Sequence, residues 1–234
     1  MAAGVASRLL LVAPTPREAA AVRTSTVCGA GPRATEAVDA MLRVAPRDLV
    51  VIAGVCGGLD PSLAPGSLIL CRRAVNEHGD ERIPERALFE QARRAFRARR
   101  LPFVSSSLLT VDAPVVSRAQ KTALWNRHGA AGVDMETWGV IEAAAAHGVP
   151  WLAVRVVLDP ASAALPPSLH TWSGEPDADV LRRVLRRPFE WPSYARLALQ
   201  ARSALRTLAA VSPQLSALSY RLEEPINLSA VTAR

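Results

Sequence analysis

Apolar residues fall along the chain in short runs that alternate with stretches of helical spacing, the pattern of an α/β fold. Strands are predicted over Arg8–Ala13, Thr26–Cys28, Leu49–Val55, Ser67–Cys71, Phe103–Val111 and Pro150–Leu158. The segments LVVIAGV and WLAVRVVL are continuously apolar apart from Arg155, as strands covered on both faces should be. Helices are predicted over Arg33–Val44, Glu85–Arg100, Arg118–His128 and Glu136–His147. The last has a stop signal in His147, Gly148 and Pro150, and Asp134 is placed to cap its start. The expected architecture is a single three-layer α/β domain, a central mixed β-sheet flanked by helices.

After Asp159 the pattern changes. Residues 160–176 are rich in Pro, Ala and Ser and read as a loop. Residues 177–211 are arginine-rich and helical, with interruptions at Pro188 and Pro192, and from Ser212 the periodicity is lost. The domain is therefore expected over residues 1–211, with 212–234 as a tail.

Composition narrows the class. A chain of 234 residues fits one domain, and 50% hydrophobic with 21% charged residues is ordinary for a soluble globular protein. The net charge of +7 is almost all arginine, Lys121 being the only lysine. Such a balance fits either an acidic partner or an arginine-rich codon usage. No long basic block with interleaved aromatics is present, so nucleic acid is not expected as a partner. Cys28, Cys56 and Cys71 are odd in number and lack C-x-x-C spacing, which argues against disulfides and zinc and for a reducing cytoplasm. The start holds only a five-residue apolar run, Leu9–Ala13, which reads as a buried strand rather than a signal peptide. No segment approaches the roughly 20 apolar residues of a spanning helix.

Two glycine turns are read after strands, Cys28-Gly29-Ala30-Gly31 and Gly54-Val55-Cys56-Gly57-Gly58, where backbone N–H groups can approach a ligand closely. The first, continued to Ala34, loosely matches a dinucleotide fingerprint. The acid expected at the end of the next strand is absent, so NAD is not expected. Neither a P-loop nor a G-x-S-x-G elbow occurs. Three acids stand at strand ends or helix starts: Glu18, Glu136 and Asp159. Taken singly, each has an ordinary reading as a first-turn acid, a cap or a turn residue.

Together they match a known arrangement. IAGVCGGLDPSLAPGSLIL and GVDMETWGVIEAAAAHGVPWLAVRVVLD resemble the glycine-rich strand pair and the ribose- and base-binding segment of the nucleoside phosphorylase and nucleosidase superfamily. APTPREAAAV is similar to the segment that carries the water-activating glutamate in the methylthioadenosine/S-adenosylhomocysteine nucleosidases. The resemblance covers roughly residues 8–160, and Met135-Glu136 with Asp159 is its most specific part. It implies cleavage of the N-glycosidic bond of an adenosine-type nucleoside, with Glu18 and Asp159 as catalytic residues. Met135, Glu136, Cys56, Gly57, Arg17 and Gly31 would bind substrate, and no cofactor or metal is implied.

The chemistry agrees with those roles. Cleavage makes an oxocarbenium-like ribose and a purine anion, so the base needs a proton and the sugar needs negative charge nearby. Asp159, if buried, could protonate N7, and Glu136 would grip the ribose hydroxyls. The nucleophile stays open between water activated by Glu18 and phosphate held by Arg17 and the Gly29–Gly31 backbone. The strand before Gly54 lacks the arginine that many phosphorylases carry there. Three departures are Cys56 at a position usually small, Pro114 where an aromatic commonly stacks on the base, and a short stretch between Arg72 and Arg100 that would open the 5′ side.

Asp159-Pro160, Ala-Leu-Pro-Pro and VLRRVLRRPFEWPSYARLALQARSAL resemble the hopanoid-associated branch, which implies release of adenine from adenosylhopane. The alternatives are a methylthioadenosine/S-adenosylhomocysteine nucleosidase and an inactive nucleoside-binding protein. The family suggests a homodimer. The basic, aromatic region 177–206 suggests a cytoplasmic protein touching the anionic inner membrane face.

Overall fold

The computed structural model describes residues 8–23, 26–171 and 186–218. Its centre is β3 (Leu49–Gly58). β1 (Leu9–Ala13) runs parallel along the first half of β3, and β2 (Thr26–Val27) runs parallel to β1 beyond it. On the other side β8 (Trp151–Asp159) follows β3 in parallel to its end. β8 pairs antiparallel with β4 (Leu68–Asn76), which pairs in parallel with β6 (Val104–Thr110). β6 pairs in parallel with β7 (Gly132–Asp134), and β7 returns antiparallel to Gly57–Gly58 of β3. The mixed sheet therefore closes on itself around the carboxyl end of β3, and β5 (Glu81–Arg82) adds a short edge to β4.

Helices cover both faces, as the unbroken apolar runs require. Val50 and Ile52 of β3 pack toward α2 (Pro32–Val44) and α5 (Thr137–Ala146). Leu49, Val51 and Ala53 pack toward α1 (Pro16–Val22), α3 (Arg86–Ala98) and α6 (Trp191–Ser216). A further helix, α4 (Arg118–His128), packs Leu124 and Trp125 against a small cluster that includes Val133 of β7. The result is the three-layer α/β domain with a mixed sheet that the sequence pattern predicts.

Several boundaries differ from the sequence expectation. The Gly54–Gly58 segment is not a turn but the end of β3, because β8 and β7 pair with it there. β4 runs five residues past Cys71, held by β6. The seven-residue α1 is too short to show periodicity, yet Thr15 and Glu18 form a capping box at its start. Pro192 does not interrupt the C-terminal helix; it sits in the first turn of α6, where its missing N–H costs no hydrogen bond. A 3-10 turn, Pro188–Glu190, leads into it. The helix also continues past residue 211. Val211, Ser212 and Leu215 are buried, and the Ser212 hydroxyl donates to the Val22 carbonyl at 2.6 Å. Residues 177–185 of the expected helix and 219–234 of the expected tail lie outside the described residues.

Candidate active site

Glu18 enters the site from the first turn of α1. Its Oε2 accepts from the Thr15 N–H at 3.0 Å and the Thr15 hydroxyl, and its Oε1 accepts from the Val55 N–H at 2.7 Å. Burial pushes its carboxyl up, while these donors and the Arg155 charge hold it down in part.

Glu136 follows β7 and opens α5. The N-cap residue of that helix is Glu136 rather than the expected Asp134, but Asp134 Oδ1 accepts from the N–H groups of Glu136 at 3.3 Å and Thr137 at 3.1 Å. Glu136 Oε1 accepts from the Gly31 N–H at 3.2 Å, and Oε2 lies 3.4 Å from the Arg155 guanidinium. Burial raises its pKa to about 7, with Asp134 and Glu18 pushing the same way against Arg155. Gly31 holds φ +60° and ψ −139°, a backbone shape open almost only to glycine, so its N–H can turn back to Glu136.

Asp159 ends β8 just past an irregularity in the ladder, where Cys56 pairs with Val157 but Gly57 pairs with Asp159. The additional residue, Leu158, re-aims the strand end, as a β-bulge does near functional sites. Asp159 Oδ1 faces Gly57, lying 3.7 Å from where a Cβ there would stand. Its Oδ2 is bonded to the Lys121 ammonium, and burial pushes the carboxyl up while Lys121 holds it down.

These parts share one cavity of about 700 Å³, within the range of about 300–1,000 Å³ common for small-molecule pockets. Arg17, Glu18, Cys56, Gly57, Met135, Glu136 and Asp159 all line it. Gly31 reaches the site through Glu136, to which its N–H donates. Pro114 lines the cavity where an aromatic was expected, and nothing from residues 72–100 does. Leu165, Leu169 and the α6 stripe Leu197, Ala201 and Leu205 add apolar lining to it.

Sequence reasoning missed two cations. Arg155 is wholly buried, its Nε 2.7 Å from Asp134 Oδ2 and bonded to the Thr137 hydroxyl at 3.1 Å. A Cβ at Gly54 would stand 2.4 Å from Arg155 Nη1 and 2.6 Å from Glu18 Oε1, so only glycine lets β3 pass between them. The signal was there: Arg155 is the one charge inside an apolar strand. Lys121 stands out in the sequence only as its single lysine. Cys28, Cys56 and Cys71 are buried free thiols, and the described residues contain no cluster of metal-ligand type.

Residues 17–189 match the family model of the phosphorylase superfamily. The chain belongs to the phosphorylase superfamily. It is 35% identical over 134 residues to the futalosine hydrolase of Streptomyces coelicolor, a match spanning 49% of this chain and 55% of that protein. Among solved structures, the futalosine hydrolase of Helicobacter pylori superposes with a TM-score of 0.69 at 13% identity, over 89% of this chain and 97% of the other. The methylthioadenosine/S-adenosylhomocysteine nucleosidase of Neisseria meningitidis in complex with methylthio-immucillin-A gives 0.67 at 15%, over 90% and 99%. At these identities the likeness concerns the fold.

Proposed function

We propose that the protein cleaves the N-glycosidic bond of an adenosine-type nucleoside and releases adenine. The observation that carries this reading is the convergence of Glu18, Glu136 and Asp159 on one cavity beside Met135 and Gly57. Asp159 protonates N7 of the departing base through Oδ1, the oxygen turned toward Gly57. Glu136 grips the ribose hydroxyls in a bond that strengthens as the ring becomes cationic, and Met135 forms an apolar floor. Cys56 and Gly57 border the base, and no cofactor is required. Water is the nucleophile, with Glu18 as its base: this carboxylate is held at both oxygens by Thr15 and Val55, and the relatives carry the names hydrolase and nucleosidase.

The 5′ substituent in this reading is bulky and apolar, as in adenosylhopane of hopanoid biosynthesis. Its support is the cavity's lining of Pro114, Val115, Leu165, Leu169, Leu197 and Leu205. A lipid substrate would bring the enzyme to the membrane surface as a peripheral protein, and exposed Phe189, Trp191 and Leu199 beside Arg186, Arg196 and Arg202 suit that contact. The assembly we propose is a homodimer.

The test is product analysis. Incubated with 5′-methylthioadenosine or adenosylhopane, the enzyme should yield adenine and free sugar equally with and without phosphate, with adenosylhopane turned over faster. A sugar 1-phosphate formed only with phosphate would instead make phosphate the nucleophile and Arg17 its partner. Absence of adenine release from either compound would overturn the activity.

A further inference from the structure

Helix α4 carries basic and polar residues on most of its surface, yet the one residue it buries completely is its lysine. Lys121 is 0% exposed. An ammonium has three N–H donors, and each has a partner: Asp159 Oδ2, the Pro160 carbonyl at 2.9 Å and the Ala163 carbonyl at 3.1 Å. Lys121 therefore has no donor left for a ligand, and it does not line the cavity. Removing an ammonium from water is costly, and the chain places its single lysine there while using arginine everywhere else. A compact ammonium fits three convergent acceptors better than the planar guanidinium fork would.

We propose that Lys121 is a positioning residue for glycosidic cleavage. Its ammonium holds Asp159 by Oδ2, turns Oδ1 toward the cavity, and neutralises the carboxylate left when Asp159 gives its proton to N7. The inference rests on the reading of Asp159 as the acid. In the step, the Oδ1–H bond breaks, an N7–H bond forms, and the electron pair of the glycosidic bond moves onto the base. Lys121 stays an ammonium throughout. The charge that appears on Asp159 in a dry interior would otherwise be uncompensated. Among the described residues, the Cys56 thiol of β3 also interacts with Asp159, and burial keeps it neutral. Arg155, Asp134 and Glu136 are bonded among themselves.

Without Lys121 the burial that raises Asp159 acts unopposed, so the carboxyl becomes a weaker acid. Using 5′-methylthioadenosine, Lys121→Met should lower kcat by about 10- to 100-fold, a part of what general acid catalysis supplies, with KM within about threefold. The alkaline limb of kcat/KM should move up by a pH unit or more, and Lys121→Arg should bring it back. With p-nitrophenyl riboside, whose leaving group needs no proton, the kcat loss of Lys121→Met should be much smaller than with 5′-methylthioadenosine. A lysine that merely staples the Pro160–Ala163 loop would lower thermal stability and leave the limb in place; that result overturns the inference. If Asp159→Asn itself kept 5′-methylthioadenosine turnover, the acid assignment would fall instead. Should Lys121→Met fail to fold, as circular dichroism would reveal, Lys121→Gln takes its place, and an unshifted limb there has the same meaning.

Discussion

Glu136 is the residue whose environment says most about its work. Its carboxyl is buried, its oxygens are held by the Gly31 N–H and Arg155, and its pKa stands at about 7 against an ordinary 4.5. Between those values the folded state keeps a proton that the unfolded chain has released, so this residue's contribution to stability is present below about 4.5 and is lost as pH rises toward 7. Glu136→Gln removes that slope. Calorimetry from pH 4.5 to 7.5 should find the Tm of the variant climbing relative to wild type across this window; a constant offset would mean that Glu136 does not titrate there. The same substitution tests the chemistry. A contact that tightens as the ribose becomes cationic lowers kcat more than it raises KM when lost, so steady-state kinetics on Glu136→Gln should find most of the loss in kcat. Equal losses in binding and turnover would reduce Glu136 to a substrate anchor.

At the scale of elements, the β3 and β8 runs were legible because strands covered on both faces leave an unmistakable apolar signature. Glu18, Glu136 and Asp159 stand at strand ends or helix starts, where α/β proteins keep their sites, but only the resemblance to the superfamily joins them into one candidate site. What escaped depended on tertiary partners. No local pattern says that Gly54–Gly58 stays extended; Val133 and Asp159, far along the chain, supply the pairing. Arg155 and Lys121 looked like a flaw in a strand and a composition detail until Asp134 and Asp159 stood beside them. Helix α6 hid its length behind two prolines, and it now presents two adjacent stripes. Ala204, Leu208, Val211 and Leu215 are buried in the core, whereas Leu197, Ala201 and Leu205 face the cavity. The second stripe predicts where size selection lies. Ala201→Trp would fill that wall without touching any of the three acids. Its kcat/KM for adenosylhopane should fall at least tenfold, about 1.4 kcal/mol at the transition state, while 5′-methylthioadenosine cleavage changes little. Parallel losses on both compounds would place the 5′ group elsewhere.

For the whole molecule, the question is where the excess positive charge goes. A net charge of +7 gives long-range attraction to anionic surfaces, and its direction depends on which basic residues are free of internal partners. Part of the aromatic and basic region is engaged within the fold. The Tyr194 hydroxyl bonds Ser168 at 2.7 Å, and Arg187 pairs with Glu190 at 3.2 Å. Arg182 and Arg183 lie outside the described residues. What faces outward is Phe189 at 77%, Trp191 at 49% and Leu199 at 65% exposure, with Arg186, Arg196 and Arg202 in the same segment. No helix among the described residues is long and apolar enough to cross a membrane. Rings at the headgroup boundary and arginines on anionic lipid are the ordinary chemistry of a peripheral contact, and each basic residue near the surface adds about 1 kcal/mol. With vesicles of phosphatidylcholine and phosphatidylglycerol, the protein should sediment at low salt and release as the Debye length shrinks toward about 3 Å at 1 M. Arg186→Ala with Arg196→Ala should weaken the electrostatic part, and Phe189→Ala with Trp191→Ala should weaken the part that survives salt. The discriminating comparison is with neutral vesicles: equal sedimentation with both lipids would remove the arginines from the argument. No sedimentation with either would leave α6 as a cavity wall alone and favour a water-soluble substrate such as 5′-methylthioadenosine.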